Sequence, residues 1–166
     1  RVIRCLPRLL ERWPRLVYVN VGRAYDASYR EGVLKDAESL GVSERVRLLT
    51  DVPQEDLVGL INSAQACVHA STREGFGLAV AEEMACGKAV VAFGIDSIPE
   101  IIEDGVDGVL VRPDDPDGLA SSLLSLLGDQ DRCRRIGEAA RAKVVSRFTW
   151  EQTASRLEEL YGEVVA

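Results

Sequence analysis

Five short β-rich runs, separated by stretches of helical character, constrain the fold of this chain more than any other feature. They are Leu16-Val17-Tyr18-Val19-Asn20, Val46-Arg47-Leu48-Leu49, Ala66-Cys67-Val68-His69-Ala70, Ala89-Val90-Val91-Ala92-Phe93 and Gly108-Val109-Leu110-Val111. Most are almost continuously apolar rather than alternating, as parallel strands covered on both faces must be. Helix candidates run from Ala27 to Leu40, Gln54 to Ser63, Leu78 to Cys86 and Pro99 to Glu103. Strand and helix in alternation predict an α/β layer fold, an open parallel sheet with helices on both faces, doubly wound. At 166 residues, with no internal repeat, low-complexity tract or linker, the chain is expected to form one domain over 1–166.

Both ends read as helical. Val2, Ile3, Leu6, Leu9, Leu10 and Trp13 share one face at about 100° per residue, and Arg1, Arg4, Arg8, Arg12 and Arg15 form the opposite stripe. Pro7 predicts a kink or a helix start. The stripe reads as a solvated face, with contact to another domain or to an anionic membrane surface as the alternative. Helices around Leu119 to Leu127, Arg132 to Val145 and Trp150 to Val164 follow the last strand and are expected to pack across the domain.

Composition removes several classes of function. Apolar residues make up 46% and charged residues 28%, too much core for a disordered tail, and no apolar run approaches the roughly 18 residues of a membrane span. A net charge of -7 offers no field to draw the chain onto phosphate backbones, so nucleic acid is not an expected partner. Cys5, Cys67, Cys86 and Cys133 are scattered, and His69 is the single histidine. Neither a zinc site nor a disulfide framework is suggested, and buried reduced thiols in a cytoplasmic protein are expected. The chain begins at Arg1 and its single methionine is Met84, so a processed chain or a piece of a longer one is expected.

The segment with chemical content is Ser71-Thr72-Arg73-Glu74-Gly75-Phe76-Gly77, between the strand ending at Ala70 and the helix starting near Leu78. Ligands of open α/β sheets bind there, beyond the carboxyl end of a strand. Gly75 and Gly77 permit a tight turn, after which the free N–H groups of the first helical turn can face an anion such as phosphate. A ligand-free glycine turn is the plain alternative. Glu74 precedes the turn and Glu82 lies in the helix. With Leu78 as zero, Ala81, Met84 and Ala85 fall near about 300°, 240° and 340° and mark the buried face, Glu82 near about 40° lies at its margin, and Glu83 near about 140° is expected in solvent. Two carboxylates so staggered suit the holding of sugar hydroxyls better than a glycosidase acid and nucleophile, which must flank one bond.

Glu74-Gly-Phe-Gly-Leu-Ala-Val-Ala-Glu82-Glu-Met-Ala-Cys-Gly-Lys-Ala-Val-Val-Ala92, followed by Pro99-Glu-Ile-Ile-Glu-Asp-Gly-Val-Asp-Gly-Val-Leu-Val-Arg-Pro113, resembles the C-terminal half of a family 4 (group 1) retaining glycosyltransferase. The resemblance runs from Leu6-Pro-Arg-Leu-Leu-Glu-Arg through Phe148-Thr-Trp-Glu151 and rests most on E-G-F-G and the E-x7-E spacing. It implies a Rossmann-like domain, one half of the two-domain GT-B fold. This half binds the nucleoside-diphosphate sugar, and its sugar goes to an acceptor hydroxyl. Glu74 would be the catalytic carboxylate at the transferred sugar, and Gly75, Phe76, Gly77 and Leu78 would present backbone to sugar and diphosphate. Glu82 would accept from the ribose hydroxyls, and Val52, in Thr50-Asp51-Val52, would line the nucleobase pocket.

The resemblance places the acceptor-binding N-terminal domain, and a strand with a basic pair that clamps the diphosphate, before Arg1. This chain alone is therefore expected to be inactive, and the enzyme to be cytoplasmic, with the inner face of the membrane as an alternative contact. Asp96-Ser97-Ile98-Pro99-Glu100 stands where the family often has Gly-Gly-x-Pro-Glu, and Ala89 where it often has proline. His69 replaces an apolar residue or proline and reads as a satisfied structural histidine, with a pocket-lining role as the alternative. Asp115-Pro116-Asp117 spells the D-x-D of metal-dependent transferases, but aspartate and proline there suit a helix start, so neither metal nor cofactor is expected. Two other functions stay open: a nucleotide-sugar epimerase-like domain, and a module that binds a nucleotide sugar without turnover.

Overall fold

The computed structural model describes residues 1–22 and 27–165. Its elements are α1 (Val2–Arg12), β1 (Tyr18–Val21), α2 (Ala27–Ser39), β2 (Val46–Leu49), α3 (Gln54–Ser63), β3 (Cys67–His69), α4 (Leu78–Ala85), β4 (Val90–Phe93), α5 (Ile98–Ile101), β5 (Val109–Val111), α6 (Pro116–Gly128), α7 (Gln130–Arg147) and α8 (Trp150–Val165). All five expected strands form, and every pairing is parallel. The hydrogen bonding falls into two pieces, however: β1 with β2, and β3-β4-β5. Among the described residues no ladder joins β1 to β3. β1 is correspondingly less covered, with Val19 40% exposed, whereas all of β4 is buried.

β4 shows why its sequence is apolar throughout. Val91 and Phe93 join a cluster with Ile3, Leu6 and Leu9 of α1, Ala37 of α2 and Leu119, Leu123 and Leu126 of α6. Val90 and Ala92 join a second cluster with Val80 and Met84 of α4, Ile98 and Ile101 of α5 and Ala140 and Val144 of α7. Successive side chains of a strand point to opposite faces, so helices cover the sheet on both sides.

α1 runs through Pro7. Proline withholds one helical N–H, but the buried Ile3, Leu6 and Leu9 hold the helix to the core despite that loss. The arginine stripe partly turns inward upon the domain: Arg1 pairs with Asp114 at 2.8 Å, Arg4 with Asp36 at 3.5 Å, and Arg8 donates to Ser121 at 3.2 Å. Lys88 closes the end of α3 by donating to the carbonyls of Asn62 and Ala64, and Arg141 donates to the last carbonyl of α4 at Ala85. Asp107, almost fully buried, pairs with Lys143 at 2.8 Å and accepts from the Glu103 N–H, which fixes the turn before β5 to α7. All four cysteines are free; Cys5 and Cys67 are buried as expected, while Cys86 and Cys133 are only half-buried.

Asp115 is the N-cap of α6, its carboxylate accepting from Gly118 N–H at 2.8 Å, and Pro116 opens the helix. Asp115→Ala should cost about 1 kcal/mol, read as a fall in melting temperature of roughly 2–4 °C. An unchanged melting temperature would remove the cap from the account.

α6 and α7 pack on the domain, but the expectation fails for α8, whose described side chains are all exposed. Trp150, Leu157, Leu160, Tyr161 and Val164 give it an exposed apolar stripe. Among the described residues no helix is long and apolar enough to cross a membrane.

Candidate functional site

The loop of residues 70–77 leaves the carboxyl end of β3 and enters α4 at Gly77. Gly77 is the N-cap, at φ 92° and ψ 39°, and among the described residues no side chain caps the helix. Glycine is required here twice over. A side chain is strained at this φ, and a Cβ would lie 2.9 Å from Ile98 Cδ1 and 3.0 Å from Ile101 Cδ1. The result is a helix start whose first N–H groups lack a side-chain partner, with the helix dipole behind them. Gly75, Phe76 and Leu78 are exposed around it, and Glu74 is half-buried.

Two anchors that the sequence did not disclose hold the loop. The backbone N–H of Glu74 donates to Asp96 Oδ2 at 2.8 Å. Asp96 itself has φ 44°, a left-handed conformation that glycine adopts freely and aspartate tolerates. The departure Asp96-Ser97 is thus a residue that accepts the turn and adds a bond to the loop, while the buried Ser97 hydroxyl finds no partner among the described residues. The second anchor is Phe148, at the end of α7, whose ring meets Phe76 edge-on at 5.8 Å and 73°.

The two α4 carboxylates differ from expectation. Val80, Ala81 and Met84 are the buried residues of α4, so its buried face centres near about 250° on the wheel that starts at Leu78. Glu82 is then not at the margin but faces outward and is exposed. Glu83, expected in solvent, is the residue at the margin: its side chain is 17% exposed and its Oε2 lies 2.8 Å from His69 Nε2. Counting the half-buried Ala85 in the buried face and leaving out the buried Val80 both turn that face toward Glu82. His69 is accordingly a satisfied histidine. Burial works against its charged form, but the hydrogen bond and charge of Glu83, with Glu74 adding to them, hold its pKa above the usual value.

Off the end of β2, an open concavity of about 580 Å³ is lined by Leu49, Thr50, Asp51, Val52 and Pro53 together with the start of α3. Val52 lies on its wall, and Asp51 makes the turn at φ 55°. Among the described residues no group of three His, Cys, Asp or Glu could hold a metal ion. The aspartate of D-x-D that begins α6 is engaged as its cap.

The sequence matches the family described as Glycosyl transferases group 1 over residues 1–143. It is 34% identical over 165 residues to a D-inositol 3-phosphate glycosyltransferase of Corynebacterium diphtheriae, covering 98% of this chain and 38% of that protein. The corresponding protein of Thermobispora bispora is 38% identical over 137 residues, which cover 82% of this chain and 32% of that protein. Among solved structures, Anabaena HepE in complex with UDP-glucose superposes with a TM-score of 0.89 at 27% identity, covering 98% of this chain and 44% of that one. A glycosyltransferase of Rickettsia africae superposes with a TM-score of 0.88 at 24% identity, a likeness of fold, covering 99% of this chain and 43% of that one. The chain thus spans about two fifths of the length of these longer proteins, and the α/β layer is the Rossmann-like half of a GT-B fold. The epimerase-like reading finds no support among them. The match along most of the chain, with E-G-F-G placed at an uncapped helix start, shows that this protein belongs to the group 1 glycosyl transferases.

Proposed function

We propose that this chain is the donor-binding half of a retaining glycosyltransferase that moves a sugar from a nucleoside-diphosphate sugar to an acceptor hydroxyl. The observation that carries the reading is the start of α4, where N–H groups with no side-chain cap among the described residues follow the half-buried Glu74, and the exposed Glu82 stands at the fifth position of the helix. The diphosphate sits against those N–H groups beside Gly75, Phe76, Gly77 and Leu78. Glu82 accepts from the ribose hydroxyls, and the nucleobase enters the concavity at Val52. That HepE was solved with UDP-glucose supports a nucleotide sugar as the ligand class.

In the reaction the bond from the anomeric carbon to the diphosphate oxygen breaks, its electron pair leaving with the nucleoside diphosphate. The acceptor oxygen attacks from the same face, and its proton passes to the departing phosphate. Glu74 favours the positive charge that develops at the sugar, and the α4 N-terminus favours the negative charge on the leaving group. The acceptor site belongs to the remainder of a longer protein, as the coverage of the relatives suggests. The 166-residue chain by itself is expected to transfer no sugar, and turnover by it would overturn this division of labour. We place the action in the cytoplasm, in keeping with free thiols, with the inner face of the membrane as the alternative contact; of the arginine stripe, Arg1, Arg4 and Arg8 meet Asp114, Asp36 and Ser121.

Calorimetric titration of the intact protein with UDP-glucose, GDP-mannose and ADP-glucose tests the reading. One of them should bind, with the same affinity in magnesium and in chelator, because Asp115 is engaged as a helix cap. Loss of binding in chelator that metal restores would reverse the metal assignment. Binding with no transfer to any acceptor by the intact protein would favour the non-catalytic module.

A further inference from the structure

The donor loop leaves a strand and enters a helix, and one contact ties those two stems directly. His69 is the last residue of β3 and Glu83 lies in the last turn of α4. Their side chains are 20% and 17% exposed and meet at 2.8 Å, fourteen positions apart in sequence. Residues 70–77, with Glu74 and the glycines, are the chain that this contact closes into a ring. Glu83 is also the neighbour of Glu82, and the two side chains are separated by about 100° around the helix. The buried Val80, Ala81 and Met84 set which face of α4 meets the core, and whatever holds Glu83 adds a constraint on the rotation of the helix and on the direction in which Glu82 points.

We propose that His69 and Glu83 are positioning residues for the donor site: their contact fixes how α4 sits on the end of β3, and the charge on His69 offsets that of Glu83 at the stems of the loop that seats the diphosphate. The inference rests on the donor-site reading above. It does not follow from the family resemblance, which offers an apolar residue or proline at position 69.

The groups around the pair identify what titrates. Cys67 of β3 contacts Glu83, and burial pushes its thiol far up. Tyr18 of β1 senses Glu83, and burial pushes its hydroxyl up as well. Glu74 adds negative charge from the loop, and Lys88 adds positive charge near Cys67. Between about pH 5.5 and 8.5, His69 is the member of this group expected to change its charge. Deprotonated, it can still donate Nε2–H to Glu83, so the geometry persists while one positive charge is lost. The site then becomes more negative, and a diphosphate should bind less well. Stability has the same sign: the folded pKa lies above the unfolded one, so the contribution is complete below about 6.5 and is lost as pH rises through the folded value.

The test is calorimetric binding of nucleotide sugar to the intact protein from about pH 5.5 to about pH 8.5, where a diphosphate diester does not itself titrate. UDP-glucose, GDP-mannose and ADP-glucose are the probes, and whichever binds is carried through the series. Affinity of the parent should fall about five-fold across the range, equivalent to about 1 kcal/mol. Glu83→Gln, which keeps a hydrogen-bond acceptor, and His69→Gln, which keeps a donor, should each flatten that profile to within about two-fold. Glu83→Ala should lower affinity by about ten-fold at the acid end, and Glu83→Gln should recover most of that loss. A parent with a flat profile, or glutamine variants that retain the parental slope, would overturn the inference while leaving the donor reading intact. A parent that binds none of the three nucleotide sugars would instead overturn the donor reading.

Discussion

Gly137→Ala is expected to lower the stability of the fold by about 3 kcal/mol, the upper end of the cost of overpacking, and to reduce the melting temperature by roughly 6–12 °C. Gly137 lies in α7 where that helix crosses the turn after α4, and a Cβ there would stand 2.1 Å from the carbonyl oxygen of Gly87 and 2.9 Å from its carbonyl carbon. Both are backbone atoms, so no side-chain rotation relieves the clash. Gly87 cannot readily move aside either, because it has φ 73° and its N–H donates to Met84 O at 2.9 Å. The remaining relief is separation of α4 from α7, which would open the cluster of Val80, Met84, Ala140 and Val144. Gly32→Ala is the matching control. Gly32 lies in α2 with none of the described residues within 4 Å of the added Cβ, and alanine there should stabilise the helix by about 0.5–1 kcal/mol. Thermal unfolding followed by circular dichroism compares the two. A Gly137→Ala protein that melts with the parent would mean that α7 does not press on this turn.

Much of that architecture was legible in the sequence because it follows from local signals. Continuous apolarity marked Val90-Val91-Ala92-Phe93 as a strand buried on both faces, and Asp115-Pro116 marked a helix start; both are found. The break between β1 and β3 was not legible, since periodicity locates strands but does not say which edges pair. The same holds at the site. Gly77 was legible because a strand-to-helix turn needs a left-handed residue, and it has one. The Asp96 bond to Glu74, the Phe148 ring on Phe76 and the His69 contact with Glu83 join residues 22, 72 and 14 positions apart, and only the tertiary fold brings them together. A helical wheel resolved α4 to within one residue's rotation, which is enough to find the helix and too coarse to tell Glu82 from Glu83. Position 96 did carry a signal: a position where the family favours glycine is one where the backbone goes left-handed, and Asp96 does so at φ 44°.

Glu82 of α4 and Glu74 of the loop before it are expected to separate binding from chemistry. If Glu82 holds ribose, a group that every nucleotide ligand contains, Glu82→Ala should weaken nucleoside diphosphate and nucleotide sugar alike, by about 1.5–3 kcal/mol for one charge-assisted hydrogen bond. Its exposure suits that role, since a carboxylate poised for ligand hydroxyls should be open to solvent. Glu74 should behave otherwise. Its side chain is assigned to the transferred sugar, so Glu74→Ala should leave nucleoside diphosphate affinity nearly unchanged and lower turnover of the intact enzyme by about 100-fold, as loss of one group that meets developing charge does. Backbone placement is not the cause, because the bond to Asp96 is made by the Glu74 N–H, which alanine retains. Glu83→Ala cannot serve as an inert reference, since it removes the partner of His69; Glu158→Ala, on the exposed α8, can. Calorimetry of diphosphate and nucleotide sugar on the three variants, followed by steady-state kinetics, decides the matter. Equal losses of affinity at Glu82 and Glu158 would remove Glu82 from the ribose. A Glu74→Ala enzyme that works at the parental rate would move the chemistry away from the loop, whatever the helix start binds.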